Sequence, residues 1–343
     1  MKGRRIHSAL LVLLPLLATA QDVHFAQFYN APLWLNPALA GHIAGDQRLS
    51  IIHRDQWQSI GTPFRTNAAS YDAPLFRGRM QGRYLGVGVS AFSDKAGRSN
   101  FGDSQLNLSL AYGLQAGLNS TVAFGLQAGY GQRSAMLSGL RWDSQFNGSG
   151  HDPSLASGES FGDMSRSFID MAAGVVWSGE RKDGIKWTLG GGAFHLNRPE
   201  VSLFSDGDDQ LMRRYMLHGE LRIATERWTV LPKFYVGQQG GVREINYGGL
   251  LHRRLGVDSR YTTDKTSSAF YFGAFHRWGD AIVPTFLYEH KRMLAIGLSY
   301  DVNISPLRRY TRFRGGAELS IQWIGSFTDK RRRLPNTKPK GVE

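Results

Sequence analysis

The paired stretches "SQLNLSLAYGLQ" (104–115) and "TVAFGLQAGYGQ" (121–132) decide the fold. In the first, Leu106, Leu108, Leu110 and Tyr112 alternate with Gln105, Asn107, Ser109, Ala111 and Gly113. In the second, Val122, Phe124, Leu126, Ala128 and Tyr130 alternate with Ala123, Gly125, Gln127, Gly129 and Gly131. A period of two held over about ten residues makes a strand with two unlike faces. Strands of soluble domains run about five or six residues, whereas a tilted strand needs about 9–11 to cross a bilayer. The second face is also wrong for a soluble sandwich, which would turn charged side chains to water; here it holds Gly, Ala, Ser and Gln.

The same alternation recurs along the chain. Leu85, Val87, Val89 and Ala91 mark one strand, Ile169 to Trp177 another, and Tyr215 to Ile223 a third; Leu294 to Tyr300 and Ala317 to Trp323 close the series. Aromatics fall at the ends of these runs (Tyr112, Tyr130, Trp177, Tyr300, Trp323), as in the interfacial girdles of membrane barrels. Glycine is 41 of 343 residues, against about 7% in average proteins, and it sits inside the strands rather than in linkers. Glycine weakens a strand, so its excess points to strands that bend or crowd their inner faces, as barrels require. The chain is therefore predicted to be all-β: a transmembrane antiparallel β-barrel of about 14 strands, within roughly 12–16. Loops 133–166 and 197–213 read as outside loops, and 178–184 and 225–228 as periplasmic turns. That alternation breaks after Val236, where "GQQGG" is short and "RRLGVDSRYTTDKTS" long.

Residues 1–20 read as a secretory signal, with Lys2, Arg4 and Arg5 ahead of "ALLVLLPLL" (9–17), an apolar run too short to span a bilayer. Ala18 and Ala20 form the small-x-small cleavage pattern and make Gln21 the first mature residue. The absence of cysteine excludes disulfides and lipoprotein attachment. Of the net charge of +13, the signal supplies three, leaving +10. For an exported chain this balance suits anionic lipid, lipopolysaccharide or an acidic partner rather than nucleic acid, for which no motif is present.

Motifs for chemistry fail on their partners. "GDSQL" (102–106) begins like a lipase nucleophile but has no downstream Asp-x-x-His to supply a base. "DGDD" (206–209) lacks the spaced oxygens and closing Glu of a calcium loop and reads as a solvated acidic loop. "LGGGAF" (189–194) lacks the Gly-Lys-Ser/Thr of a phosphate loop. The histidines make no metal-binding spacing; His195, His218 and His276 read as lumen-facing or interfacial. We expect no enzyme, no cofactor and no metal.

Ahead of the strands, "NPALAG" (36–41) reads as one turn of helix: Asn36 caps it, Pro37 and Ala38 begin it, and Gly41 takes the left-handed position after it. The preceding "QFYNAPLWL" reads as extended, so residues 21–46 form an ordered, plug-like periplasmic lead-in, packed in the lumen mouth or on the periplasmic rim of a barrel spanning 47–328. The tail 329–343 is basic, with Arg331, Arg332 and Arg333, and falls in the periplasm by parity.

The lead-in "QDVHFAQFYNAPLWLNPALAG" (21–41) resembles the mature start of the PorP/SprF family, outer-membrane proteins of the type IX secretion system of Bacteroidota. The resemblance continues through "HRDQWQSIGTPFRTNAASYDAPL" (53–75), with Arg54, Gln56 and Trp57, and through "WDSQF" (142–146). It resumes at "FIDMAAGVVW", "FHLNRP", "LPKF", "GLSYDVNIS" (297–305) and "GGAELSI" (315–321), covering nearly the whole mature chain in order. Many members end in a Cys-Pro-Arg-Phe-like sequence; here the basic run persists without the cysteine. The resemblance implies a non-enzymatic, integral outer-membrane barrel of the secretion and gliding machinery. Its implied partners are periplasmic ring or peptidoglycan-associated components and a secreted surface adhesin. On that basis the outer docking face comprises Trp142, Phe146, Asp206, Asp208 and Asp209, while the lead-in and tail face periplasmic partners. The alternatives are a diffusion channel or hydrophobic-substrate transporter with 21–41 as its hatch, and a barrel lipase or deacylase.

Overall fold

The computed structural model describes residues 22–326, apart from 59–60, 78–79, 81, 139, 159–161, 205–206 and 256–266. Fourteen strands are found among them: β1 (Gln47–Gln56), β2 (Phe64–Leu75), β3 (Tyr84–Lys95), β4 (Gly102–Gln115), β5 (Ser120–Ala135), β6 (Met164–Glu180) and β7 (Lys186–Phe194). The second half comprises β8 (Arg214–Ala224), β9 (Thr229–Gln239), β10 (Val242–Leu255), β11 (Ser268–Arg277), β12 (Ala281–His290), β13 (Leu294–Asn303) and β14 (Arg314–Gly325). Each strand pairs with its neighbours in sequence, and β14 returns to β1 from Gln47↔Gly325 to Gln56↔Gly316. Closure leaves no sheet edge along this seam, which a sheet in hydrocarbon requires.

The two quoted stretches form β4 and β5, in register from Gly102↔Ser134 to Gln115↔Thr121. Leu108 and Leu126 are 57% and 67% exposed on the outer wall, while Ser109 and Gln127 are buried inside. Burial is thus inverted relative to a soluble domain: the greasy face meets the surroundings and the small polar face fills the interior.

The start of β1 and the end of β14 lie at one end of the barrel, together with the short connections 116–119, 181–185 and 225–228. The long connections 136–163 and 195–213 lie at the other. Short turns mark the periplasmic end of a bacterial barrel and long loops the extracellular end. The break after Val236 is real and has a local cause. Gly240 and Gly241 close a two-residue hairpin between β9 and β10 at the outer end, with Gly240 at φ +53°. Leu255 and Ser268, which bound the longer connection, then lie at the periplasmic end. Two aromatic rings result. Tyr130, Tyr215, Tyr247 and Tyr300 face outward near the extracellular end, and Tyr112, Trp177, Trp187 and Trp323 near the periplasmic end. Trp177 and Trp187 stack edge-on at 4.5 Å between adjacent strands.

Candidate functional site

The interior is occupied by the chain's own N-terminal segment. From Asp22, beside the outer ends of β7 and β9, the chain descends the lumen and leaves it at Gly45 beside Gly325. Of the two placements the sequence allowed, lumen mouth or periplasmic rim, the segment takes the lumen and runs its length. The aromatic and aliphatic side chains that look surplus in an exported leader are what the lumen buries: Phe25, Phe28, Leu33 and Leu35 are all buried. Phe28 packs edge-on against Tyr235 at 4.8 Å and Phe275 at 5.6 Å on the far wall.

The local backbone follows from its prolines and its asparagine. "QFYNAPLWL", read as extended, instead makes a 3₁₀ turn at Phe28–Asn30 and a turn of α-helix at Pro32–Leu35. Pro32 opens the second turn because its missing N–H would be unpaired there in any case. At "NPALAG" the Asn36 side-chain oxygen accepts from Ala38 N at 2.9 Å over a 3₁₀ turn at Pro37–Leu39, and Gly41 takes φ +68°.

The wall makes room for this backbone with glycine. A Cβ on Gly125 would lie 2.3 Å from Ala38 N, one on Gly86 2.0 Å from Ala40 O, and one on Gly174 2.0 Å from Asn36 Oδ1. Part of the glycine excess is therefore explained by close approach of plug to wall.

Polar bolts then fix the segment around the circumference. Glu318 on β14 accepts from Ala26 N and Gln27 N, both at 2.7 Å, satisfying donors at the start of the first turn. Arg54 on β1, 1% exposed, reaches Asp301 on β13 at 2.7 Å and Glu318 at 3.4 Å, and donates to His24 O at 3.0 Å. Arg277 on β11 reaches the same Asp301 carboxylate at 2.5 Å. Toward the periplasmic end Asp72 receives Arg48 through two bonds, at 2.8 and 2.9 Å, and accepts from Gly41 N at 2.8 Å. Asn36 Nδ2 donates to Val175 O at 2.9 Å and Gly191 O at 3.0 Å. Buried charges are tolerated best where each is paired and further hydrogen-bonded; here every charge has an opposite partner and the plug's backbone adds bonds, while Arg54 Nε and Arg277 Nη1 have no partner among the described residues.

At the outer end Asp22 lies 2.5 Å from His195 Nε2 and 3.5 Å from Arg214, with Asp170 3.0 Å from His195 Nδ1. Burial opposes charge on His195, but Asp22 and then Asp170 outweigh it and push its pKa up to about 10. Burial would also raise the Asp22 carboxyl; His195 and then Arg214 hold it well below the usual carboxylate range. The His195 contribution is complete below its ordinary pKa of about 6.5 and lost as pH rises through about 10. The Asp22 contribution is complete above about pH 4 and lost on further acidification. The unfolding temperature, read as loss of compact gel mobility, should therefore differ between the protein and its His195→Gln variant at pH 7. That gap should close above about pH 10; a gap of constant size would remove the clasp from the account.

The telling blocks of sequence meet here: Arg54 of "RDQW" and Asp301 of "SYDV", 247 residues apart, form one ion pair. Gln56 ends β1, and Trp57, at φ +58°, caps the rim, stacking on Phe64 at 5.0 Å. Trp142 and Phe146 lie in the outer loop 136–163, where they line a shallow cleft of about 350 Å³ with Arg141, Asp143 and His151. Asp208 and Asp209 lie in the neighbouring loop, and Asp209 is 3.5 Å from Arg133. Among the described residues no hydrogen bond or ion pair joins the two groups. Ala18, Ala20, Gln21, Asp206, Phe327 and Arg331 to Arg333 lie outside the described residues. Sequence reasoning missed Glu318, Asp72, Arg48, Arg277 and the Asp22–His195 pair; the available signal was single charges at inward-facing positions between small residues. Among the described residues no three potential metal ligands cluster.

A family model described as type IX secretion system membrane protein PorP/SprF matches residues 17–322. The chain belongs to this family. The PorP/SprF match spans plug, wall and bolts together, and with the closed barrel it makes the chain an integral outer-membrane component of type IX secretion. No curated protein sequence matches the chain. Among solved structures, the PorP/SprF barrel is similar to the CymD monoaromatic hydrocarbon channel (14% identity, 87% of this chain and 93% of that one, TM-score 0.45). It is also similar to the Pseudomonas putida toluene transporter TodX (14%, 85% and 91%, TM-score 0.41) and to BamA from Haemophilus ducreyi (9%, 81% and 70%, TM-score 0.39).

Proposed function

We propose that this PorP/SprF barrel is a non-enzymatic docking scaffold of the secretion machinery rather than a diffusion pore. In this reading its outer loops hold a secreted surface adhesin and its periplasmic end meets ring or peptidoglycan-associated partners. The observation that carries the reading is the lumen filled by residues 22–46 and bolted by Glu318, Arg54, Asp72 and Asn36. A transporter's substrate would have to break these buried ion pairs at every passage. A scaffold gains from them, because they stiffen the wall that carries the loops.

In this reading the outer face is formed by Trp142 and Phe146 of one outer loop and the acidic "DGDD" (206–209) of the next, and Phe146 is 60% exposed. Exposed aromatics among polar side chains are the anchors protein interfaces favour. The basic tail, with Arg331 to Arg333, offers charge to an acidic periplasmic partner. Cells lacking the chain should lose a small set of secreted proteins from their surface while small-solute permeability stays unchanged; the opposite pattern favours the channel reading. Deleting residues 329–343 should weaken co-purification with ring or wall components several-fold, and unchanged recovery would remove the tail's role.

A further inference from the structure

The barrel wall is incomplete on its extracellular side. β6 has 17 residues and β7 only 9. Their ladder runs from Glu180↔Lys186 only as far as Ala173↔Ala193, whereas β6 stays paired with β5 up to Ala135↔Met164. Residues 164–172 therefore have a strand on one side only. Just above the last β7 pair, Leu196 N donates to Met171 O at 2.9 Å. The Asn197 side chain then stands in for one strand residue, donating to Ile169 O at 2.7 Å and accepting from Met171 N at 3.1 Å. These bonds fix which backbone groups face the open side: those of the odd-numbered residues. Beyond Asn197, the N–H of Ile169 and both backbone groups of Ser167 and Ser165 have no partner among the described residues.

The described residues of the neighbouring loop make no backbone hydrogen bond to this edge beyond Leu196. Its Glu200↔Gln210 bridge turns Val201 and Leu211 inward onto Phe168, and Arg166 pairs with Glu200 at 3.0 Å. Ser165, Arg166 and Ser167 remain exposed. Ile169 pairs with Tyr130 of the outer aromatic ring, so residues 165–168 stand above the hydrocarbon, facing the extracellular medium.

We propose that the β6 edge at Ser165–Ile169 is a docking site for an extended strand of an exported protein, added to the barrel wall by β-augmentation. A row of backbone donors and acceptors at ladder spacing is satisfied only by another extended backbone. Asn197 supplies that complement for one residue and then stops. The chain's own C-terminal strand cannot serve, since Gly325 lies at the opposite end of the barrel. A second copy is disfavoured by charge. Exposed Arg198, next to Asn197, and Arg213, donating to Leu196 O at 3.2 Å, stand at the lower end of this edge, and a second copy related by a two-fold axis along the membrane normal would bring them together. The occupant is therefore a strand with acidic flanks. The proposal deepens the docking reading but can fail apart from it, because the bolts that seat the plug lie elsewhere on the wall.

The test is hydrogen exchange of the full chain in detergent, with the peptide Glu-Thr-Val-Thr-Val-Thr-Glu as strand probe. Amides of Ser165, Ser167 and Ile169 should exchange at least tenfold faster than those of Val175 and Trp177, and should slow at least tenfold with the probe. Ser167→Pro removes an N–H that points away from β5, so the barrel should keep its compact mobility on unheated gels while the probe effect disappears. Ser167→Thr should retain the effect. Slow exchange in the free barrel, a probe without effect, or an effect that survives Ser167→Pro overturns the proposal. Protection that grows with protein concentration alone would give the edge to a second copy and overturn it equally.

Discussion

Replacing Arg54 by alanine should destabilise the protein by about 3–5 kcal/mol, the usual cost of removing one partner from a buried ion pair. Arg54 is 1% exposed and serves two carboxylates and the His24 carbonyl at once. Its loss leaves Asp301 with Arg277 but leaves Glu318 with only the backbone N–H groups of Ala26 and Gln27. Most of the cost is then an uncompensated charge in the lumen. It follows that Arg54→Ala combined with Glu318→Gln should be more stable than Arg54→Ala alone. Arg54→Lys should fall between the protein and the alanine variant, because a point charge cannot fork to three acceptors. Unfolding temperature by gel mobility and protease access to residues 22–46 read out both comparisons. A double variant no better than the single one would mean that Arg54 acts through packing rather than charge.

Gly125→Val should expel the plug while leaving the wall intact. The added Cβ would meet Ala38 N at 2.3 Å and Ala38 Cα at 2.5 Å, and backbone atoms cannot rotate away. Valine itself favours a strand, so β5 keeps its ladders to β4 and β6 and the strain falls on residues 36–40. The expected result is normal compact gel mobility with rapid cleavage inside residues 22–46. Gly191→Ala is the control, since its nearest neighbour, Met216 O, would be 3.7 Å away. Equal protease resistance in both variants would show that the plug is not seated against β5 as described.

The wall was legible in the sequence because its signal is local. Leu106 to Tyr112 and Val122 to Tyr130 alternate within a single strand, and hydrocarbon on one side demands that alternation whatever the strand pairs with. The alternating runs at Leu85–Ala91, Leu106–Tyr112, Val122–Tyr130 and Ile169–Trp177 fall in β3, β4, β5 and β6, and the break after Val236 is the glycine hairpin at Gly240. The cap at Asn36 was legible for the same reason: its partner, Ala38, is two residues away. The bolts were not. Glu318 pairs with Arg54 across 264 positions, and only closure of β14 on β1 brings them together. A lone Glu at an inward position resembles any polar lining residue until the segment it caps is in place. The same holds for Asp22, whose partner His195 follows β7, 173 positions along the chain. The stretch "QFYNAPLWL", read as extended, turns instead at Pro32, which suits the first position of a helical turn.

Conductance across a planar bilayer tests the closed lumen most directly. The mature protein should hold the membrane near its unmodified resistance, and deletion of residues 22–40 should give steady, open channels. Steady channels of equal size from both would contradict the plugged barrel and the scaffold reading built on it.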